Sequence, residues 1–134
     1  MKLDEMETYI TTLVRSCVEN NFGINIMSNT RERPYPDARK IYFYMVRKFL
    51  PKMPLSVLGT TIGNFHHSTV IHNIEKHEWY CMYDASYNAR FENIMRDFNL
   101  KSGIAEQDMN LLKDINVEIY NLLKRRREIK NKIK

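Results

Sequence analysis

The chain has 134 residues, of which 43% are hydrophobic and 28% charged, a composition typical of a globular domain rather than a disordered segment. Two cysteines are too few for a disulfide framework, which favours a reducing, cytoplasmic setting. No stretch approaches the roughly 20 apolar residues of a membrane span, and the acidic opening MKLDEMETY does not look like a signal peptide, so we expect no membrane partner. Binding of the basic tail to a membrane surface is a weaker alternative.

The net charge of +5 is unevenly distributed. Residues 124–134 carry seven Lys/Arg and one Glu, a net of +6, and residues 31–52 carry seven Lys/Arg and two acids, a net of +5. Residues 53–123 carry five Lys/Arg and nine acids, a net of −4. A charge run is most often a solvated face, but two separate basic clusters also suit phosphate groups.

The first predicted helix covers residues 3–20, where apolar side chains recur at intervals of three and four. Gly23 is expected to end it. A polar loop follows at residues 28–36, with two prolines that exclude a helix interior. This loop carries two cations, Arg31 and Arg33.

The second predicted helix covers residues 37–50, with Asp37 as its cap or first-turn acid. Ile41, Tyr44, Met45 and Phe49 form its expected buried stripe. Three cations are expected off that stripe, where they are candidates for phosphate contact: Arg39, Lys40 and Arg47.

Residues 55–72, LSVLGTTIGNFHHSTVIH, predict a short helix, a tight turn and the start of a second helix, which is expected to continue to about Met82. Gly63 and Asn64 are expected to end the first helix, since both tolerate a left-handed conformation. The second begins around residues 66–68, with Val70, Ile74 and His77 facing inward and a polar outer face made of Ser68, Thr69, His72 and Lys76. This arrangement predicts either a helix-turn-helix or an ordinary helical hairpin.

Two further helices are predicted beyond about residue 82. Asp84 or Ser86 could cap a helix that runs through Phe98, and Lys101-Ser102-Gly103 predicts a break. The last helix runs from about Ala105, with an apolar stripe too short to predict a coiled coil. It could pack on the rest of the chain or pair with another copy; the stripe comprises Leu112, Ile115, Ile119, Leu122 and Leu123.

Residues 10–80 resemble the C-terminal DNA-binding domain of the bacterial replication initiator DnaA. The resemblance lies in Leu58-Gly59, Gly63 and the run His67-Ser68-Thr69-Val70-Ile71-His72, with Asp37-Ala38-Arg39-Lys40-Ile41 upstream. Phe65 and His66 depart from the family, which usually has Arg and Asp there. The resemblance implies an all-α helix-turn-helix bundle, like domain IV of DnaA, which we expect over residues 1–100. An additional C-terminal helix with a basic tail, expected over residues 101–134, lies outside the resemblance.

The resemblance also implies double-stranded DNA as the partner. Arg31, or alternatively Arg33, would reach the minor groove, as a basic residue of this loop does in the family. The remaining predicted contacts lie at helix starts and on the second helix, facing bases or phosphates: Arg39, Lys40, Arg47, Leu55, Ser56, His66, His67, Ser68 and Thr69.

Other chemistries are poorly supported by the sequence. There is no GxxxxGK[ST] loop, no His/Cys spacing typical of a metal site, and no recognisable nucleophile with its base, so we expect no enzyme, metal or cofactor. The predicted function is sequence-specific binding of duplex DNA that regulates replication or transcription. The alternative is a protein-interaction module that kept the fold and lost DNA binding, which the acidic 53–123 segment and Phe65 would favour.

Overall fold

A computed structural model describes residues 3–27, 30–102 and 106–133, without the side chains of residues 106–113 and 133. The described residues form helices and loops and no strand, which confirms the predicted all-α class. None of the described helices is long and apolar enough to cross a membrane. In chain order the helices are α1 Glu5–Phe22, α2 Tyr35–Phe49, α3 Leu55–Thr60, α4 His67–Tyr83, α5 Ala85–Ser102 and α6 Glu106–Ile133.

The helix ends follow from local sequence chemistry. Asp4 and Glu7 form a capping box at the start of α1, and Gly23 ends that helix in the left-handed conformation, as predicted. Asp37 lies in the first turn of α2 as expected. Of the two predicted caps for α5, Asp84 has this role, since its carboxylate accepts from the Tyr87 backbone N–H at 3.1 Å.

The chain forms two compact units, Met1–Phe98 and Asn99–Lys134. In the first unit α2 is the central helix, packed against both α1 and α4. Aromatic pairs also join it to α5, with Phe49 stacked on Phe98 at 4.4 Å and Tyr44 edge-on to Phe91 at 5.6 Å. Because α2 has neighbours on several sides, it buries consecutive residues from Ala38 to Phe43 rather than a single stripe.

Helices α3 and α4 and their connection form the predicted helix-turn-helix. Helix α3 is shorter than predicted, because it ends at Thr60. Ile62 therefore lies in the turn, but its side chain is buried in the core. Of the two residues expected to end the helix, only Gly63 has a positive φ, 147°; Asn64 does not. The Phe65 N–H donates to the Gly59 carbonyl at 3.0 Å, which closes the turn onto α3.

The second unit consists of the end of α5 and the long helix α6. The predicted break at Lys101-Ser102-Gly103 is wrong for its first two residues, because α5 continues through Ser102, and Gly103 lies outside the described residues. Helix α6 begins at Glu106, close to the predicted Ala105. The apolar side chains of α6 that the structure describes are at least 41% exposed. Leu112, part of the predicted stripe, lies among the side chains that are not described.

Candidate nucleic-acid interface

The first turn of α4 is held by His66, which occupies the N-cap position. Its Nδ1 accepts from the Ser68 backbone N–H at 3.2 Å and lies 2.7 Å from the Ser68 hydroxyl. An aspartate at an N-cap accepts the same kind of backbone hydrogen bond. His66 therefore supplies the capping function that the family's acid would supply at this position.

This hydrogen bond also fixes the tautomer of His66. A neutral imidazole whose Nδ1 accepts carries its proton on Nε2, so the ring presents an N–H donor on its other side. An aspartate cap would present only acceptor oxygens there. The start of α4 therefore differs from the family pattern in the hydrogen-bonding group that it can offer.

The next residues of α4 present a polar, solvent-exposed surface. His67, Ser68 and Thr69 are all exposed, and the His67 ring lies 4.1 Å from the ring of His66. The predicted inner face is confirmed for Val70 and His77, which are buried, and Ile74 is half-buried. The predicted outer face is confirmed as well, since His72 and Lys76 are exposed.

A shallow depression separates the start of α4 from α3. Its lining includes Ser56 and Thr60 on one side and His66 and His67 on the other. Ser56 is exposed, and Leu55, the first residue of α3, is half-buried. The structure thus brings the predicted contacts of both helices of the helix-turn-helix to one surface.

Arg39 has a different position from the one predicted. It is only 8% exposed, and its guanidinium donates to the Thr30 carbonyl at 2.8 Å. The same guanidinium lies over the Phe65 ring, 5.7 Å from its centroid, and burial lowers the pKa of Arg39. The prediction that Arg39 lies off the buried stripe was wrong, because α2 is packed on several sides.

These contacts make Arg39 a connection between two parts of the predicted DNA-binding surface. Thr30 is next to Arg31, the exposed loop cation, and Phe65 precedes His66 at the start of α4. No spacing in the sequence indicated this role, since an arginine on a helix is usually exposed.

Lys40 and Arg33 belong to a second polar cluster. Lys40 is only 7% exposed, which corrects its predicted position off the buried stripe, and its Nζ lies 3.7 Å from the Asp37 carboxylate. Arg33 is exposed and forms ion pairs with Asp37 at 3.2 Å and Asp84 at 3.6 Å. Burial lowers the pKa of Lys40, whereas the Asp37 carboxylate raises the pKa of Arg33. Both cations lie over the Tyr80 ring, so the cluster links the start of α2 to the end of α4.

Phe65 contributes to the support of the turn. Its ring contacts Phe43 edge-on, with centroids 5.8 Å apart, in addition to its contact with Arg39. An arginine at this position would be a charge on the surface, whereas the half-buried Phe65 packs against the core. The replacement therefore removes a cation from this surface and strengthens the attachment of the turn to α2.

Arg47 remains a surface cation. It is exposed, and its guanidinium donates to the Met53 carbonyl at 3.2 Å, which holds the side chain near the connection between α2 and α3. Arg31 is also exposed. These two residues therefore keep the accessibility that phosphate or groove contact requires.

The comparisons with known proteins agree with this geometry. Residues 12–76 match the family described as bacterial dnaA protein helix-turn-helix. The comparisons with curated proteins and with solved structures found no match. The matched range begins in α1 and ends in the middle of α4, so it contains α3, the turn and the first part of α4. This part of the chain therefore resembles the bacterial DnaA helix-turn-helix family in both sequence and local fold.

Proposed function

We propose that residues 1–100 bind double-stranded DNA in a sequence-specific manner and that the protein thereby regulates replication or transcription. The observation that carries the proposal is the exposed polar first turn of α4 in a DnaA-type helix-turn-helix. The recognition helix of such a motif enters the major groove with its N-terminal residues. Residues 101–134 are a helical extension that adds positive charge.

The proposed major-groove contacts are those of the first turn of α4. Ser68 and Thr69 have hydroxyl groups that can donate to or accept from base edges. His66 offers its Nε2 N–H, which suits the N7 or O6 acceptors of guanine or a phosphate oxygen. His67, exposed beside His66, is placed to contact a base or the neighbouring phosphate.

The proposed minor-groove contact is Arg31. A narrow minor groove attracts arginine through its enhanced negative potential, and Arg31 is exposed on a loop that Arg39 anchors through the neighbouring Thr30. Arg33 is a weaker candidate because Asp37 and Asp84 already partly neutralise it. The proposed phosphate contacts are Ser56, the backbone at Leu55 and the guanidinium of Arg47. Arg39 and Lys40 are buried, so their proposed role is to stabilise the residues that form this surface.

Duplex DNA selected from a random pool, followed by binding measurements across a salt series, tests this function. We expect log affinity to fall linearly with log salt, at about 0.9 per phosphate contact. Arg31→Ala and Thr69→Ala should each cost roughly 1–3 kcal/mol for the selected site and little for random DNA. Both side chains are exposed, so the melting temperature should stay close to that of the wild type.

Arg96→Ala and Thr12→Ala are matched controls, since they remove the same residue types from exposed positions on α5 and α1. Neither should change binding. Equal losses in the control and test variants would refute the assigned surface, and a large fall in melting temperature for Thr69→Ala would place that residue in the core.

One feature favours the alternative function, a protein-interaction module. Trp79, Met82 and Tyr83 are 56%, 73% and 66% exposed near the end of α4, which is an unusual density of apolar surface on one helix. If no duplex is bound even at low salt, this surface becomes the candidate for the main activity.

A further inference from the structure

Helix α6 has a repeating apolar pattern that extends beyond its first half. Seven positions of α6 follow one another at alternating spacings of three and four residues, and six of them are apolar: Leu112, Ile115, Ile119, Leu122, Ile129 and Ile133. The seventh, between Leu122 and Ile129, is Arg126. This is a heptad pattern over three heptads, with Ile119 and Arg126 at a positions and Ile115, Leu122 and Ile129 at d positions. The d-position residues Ile115, Leu122 and Ile129 are 41%, 59% and 51% exposed, and Ile119 is 49% exposed.

The two halves of α6 carry opposite charge. Residues 106–123 contain four acids and one lysine, a net of −3, whereas residues 124–133 contain six Lys/Arg and one glutamate, a net of +5. At about 1.5 Å per residue the 28-residue helix is about 42 Å long, so the acidic and basic segments occupy opposite ends of it.

We infer that α6 pairs with α6 of a second copy of this chain in an antiparallel coiled coil. A parallel pair in register would place each basic half beside the other basic half and Arg126 opposite Arg126 at a core position, which is strongly unfavourable. An antiparallel pair places each basic half beside an acidic half. It buries the same apolar side chains, so charge decides the orientation.

The flanking positions agree with this orientation. In the heptad register Glu118 and Arg125 both occupy g positions. Antiparallel helices bring g positions of the two chains together, so with Ile119 layered against Leu122 of the other copy, Glu118 lies beside Arg125 in both directions. In the same register Arg126 faces Ile115 and lies near the carboxylate of Glu118 at the flanking g position.

Sedimentation equilibrium of the full chain without DNA tests the inference. Wild type should associate to a dimer, and Ile119→Glu should be monomeric because it places a charge in the apolar seam. Asn121→Glu is the matched control at an outward c position and should leave the dimer unchanged. Because no DNA is present, a failure of the proposed DNA binding does not affect the result.

Charge reversal tests the orientation. Glu118→Lys and Arg125→Glu should each raise the dissociation constant about fivefold or more, since two ion pairs per dimer become repulsive. The double variant should recover the wild-type value. In a parallel dimer Arg125 would instead face Lys130, so Arg125→Glu alone would tighten association. That result, or a wild type that is monomeric at every concentration, would overturn the inference.

Discussion

At the scale of single residues, His66 has two separable roles. As the N-cap of α4 it accepts from the Ser68 N–H, and through Nε2 it offers a donor outward. We predict that His66→Ala lowers the free energy of unfolding by about 1 kcal/mol, whereas His66→Asp keeps the cap and most of the stability. Urea unfolding of the three proteins measures this difference.

The same pair of variants addresses DNA reading. We predict that wild type and His66→Asp select sites that differ at one base pair, because a donor is exchanged for acceptors and a single base contact is worth about 1–3 kcal/mol. Identical selected sites would show that His66 only caps the helix.

A second residue-scale prediction concerns His77, on the inner face of α4. Its Nδ1 lies 2.6 Å from the Tyr87 hydroxyl and its ring stacks on Tyr44 at 4.1 Å. Burial lowers the pKa of His77 from 6.5 to about 4. Between these two values the unfolded chain binds a proton that the folded chain does not, so stability is lost as the pH falls from 6.5 towards 4.

We predict a loss of roughly 2–3 kcal/mol across this interval from His77 alone, with no contribution from His77 above it. His77→Gln should be less stable than wild type at pH 7 but should have a flatter dependence of unfolding free energy on pH. His72→Gln, on the exposed face of the same helix, should keep the wild-type slope. Equal slopes for wild type and His77→Gln would contradict the prediction.

At the scale of secondary-structure elements, the angle between α3 and α4 depends on Gly59. A Cβ added to Gly59 would overlap the Phe65 carbonyl and approach a Val70 methyl group at 3.4 Å. We predict that Gly59→Ala costs about 1–3 kcal/mol or more and weakens DNA binding, because the turn must move away from α3. Thermal unfolding and binding to the selected site provide the measurements.

Thr12→Ala is a suitable control, since Thr12 is exposed on α1, away from α3 and α4. Its effect on both measurements should be small. A Gly59→Ala protein that melts and binds like wild type would show that the close approach of the two helices is unimportant.

At the scale of the whole molecule, the basic C-terminal residues are expected to add affinity without specificity. Lys124 and Arg127 lie at f and b positions of the α6 heptads, away from the seam. We predict that Lys124→Gln/Arg127→Gln weakens binding to all DNA alike and lowers the salt slope by up to about 2 units. Ile119→Glu separates this effect from dimerisation, because it breaks the seam and keeps every basic residue. A changed site preference in the double variant would refute the prediction.

Much of this architecture was determined by sequence. Apolar residues at intervals of three and four, with Gly23 and Asp84 at helix ends, predicted α1, α2, α4 and α5 to within a few residues, because capping and amphipathicity are local properties. The run from Leu58 to His72 predicted the helix-turn-helix and its resemblance to the DnaA family, since its glycines and polar first turn are set by the geometry of the motif itself.

Only the tertiary structure decided which cations reach the surface. Arg39 and Lys40 differ little from Arg47 in sequence, yet two of them are buried and one is exposed. The reason is that α2 packs against α1 and α4 and contacts α5, an arrangement between segments distant in the chain that no local pattern records. Arg39 was predicted to contact phosphate, but this packing buries it, and its guanidinium contacts Thr30 and Phe65 instead. The physical reason is that a buried guanidinium needs hydrogen-bond partners inside the fold.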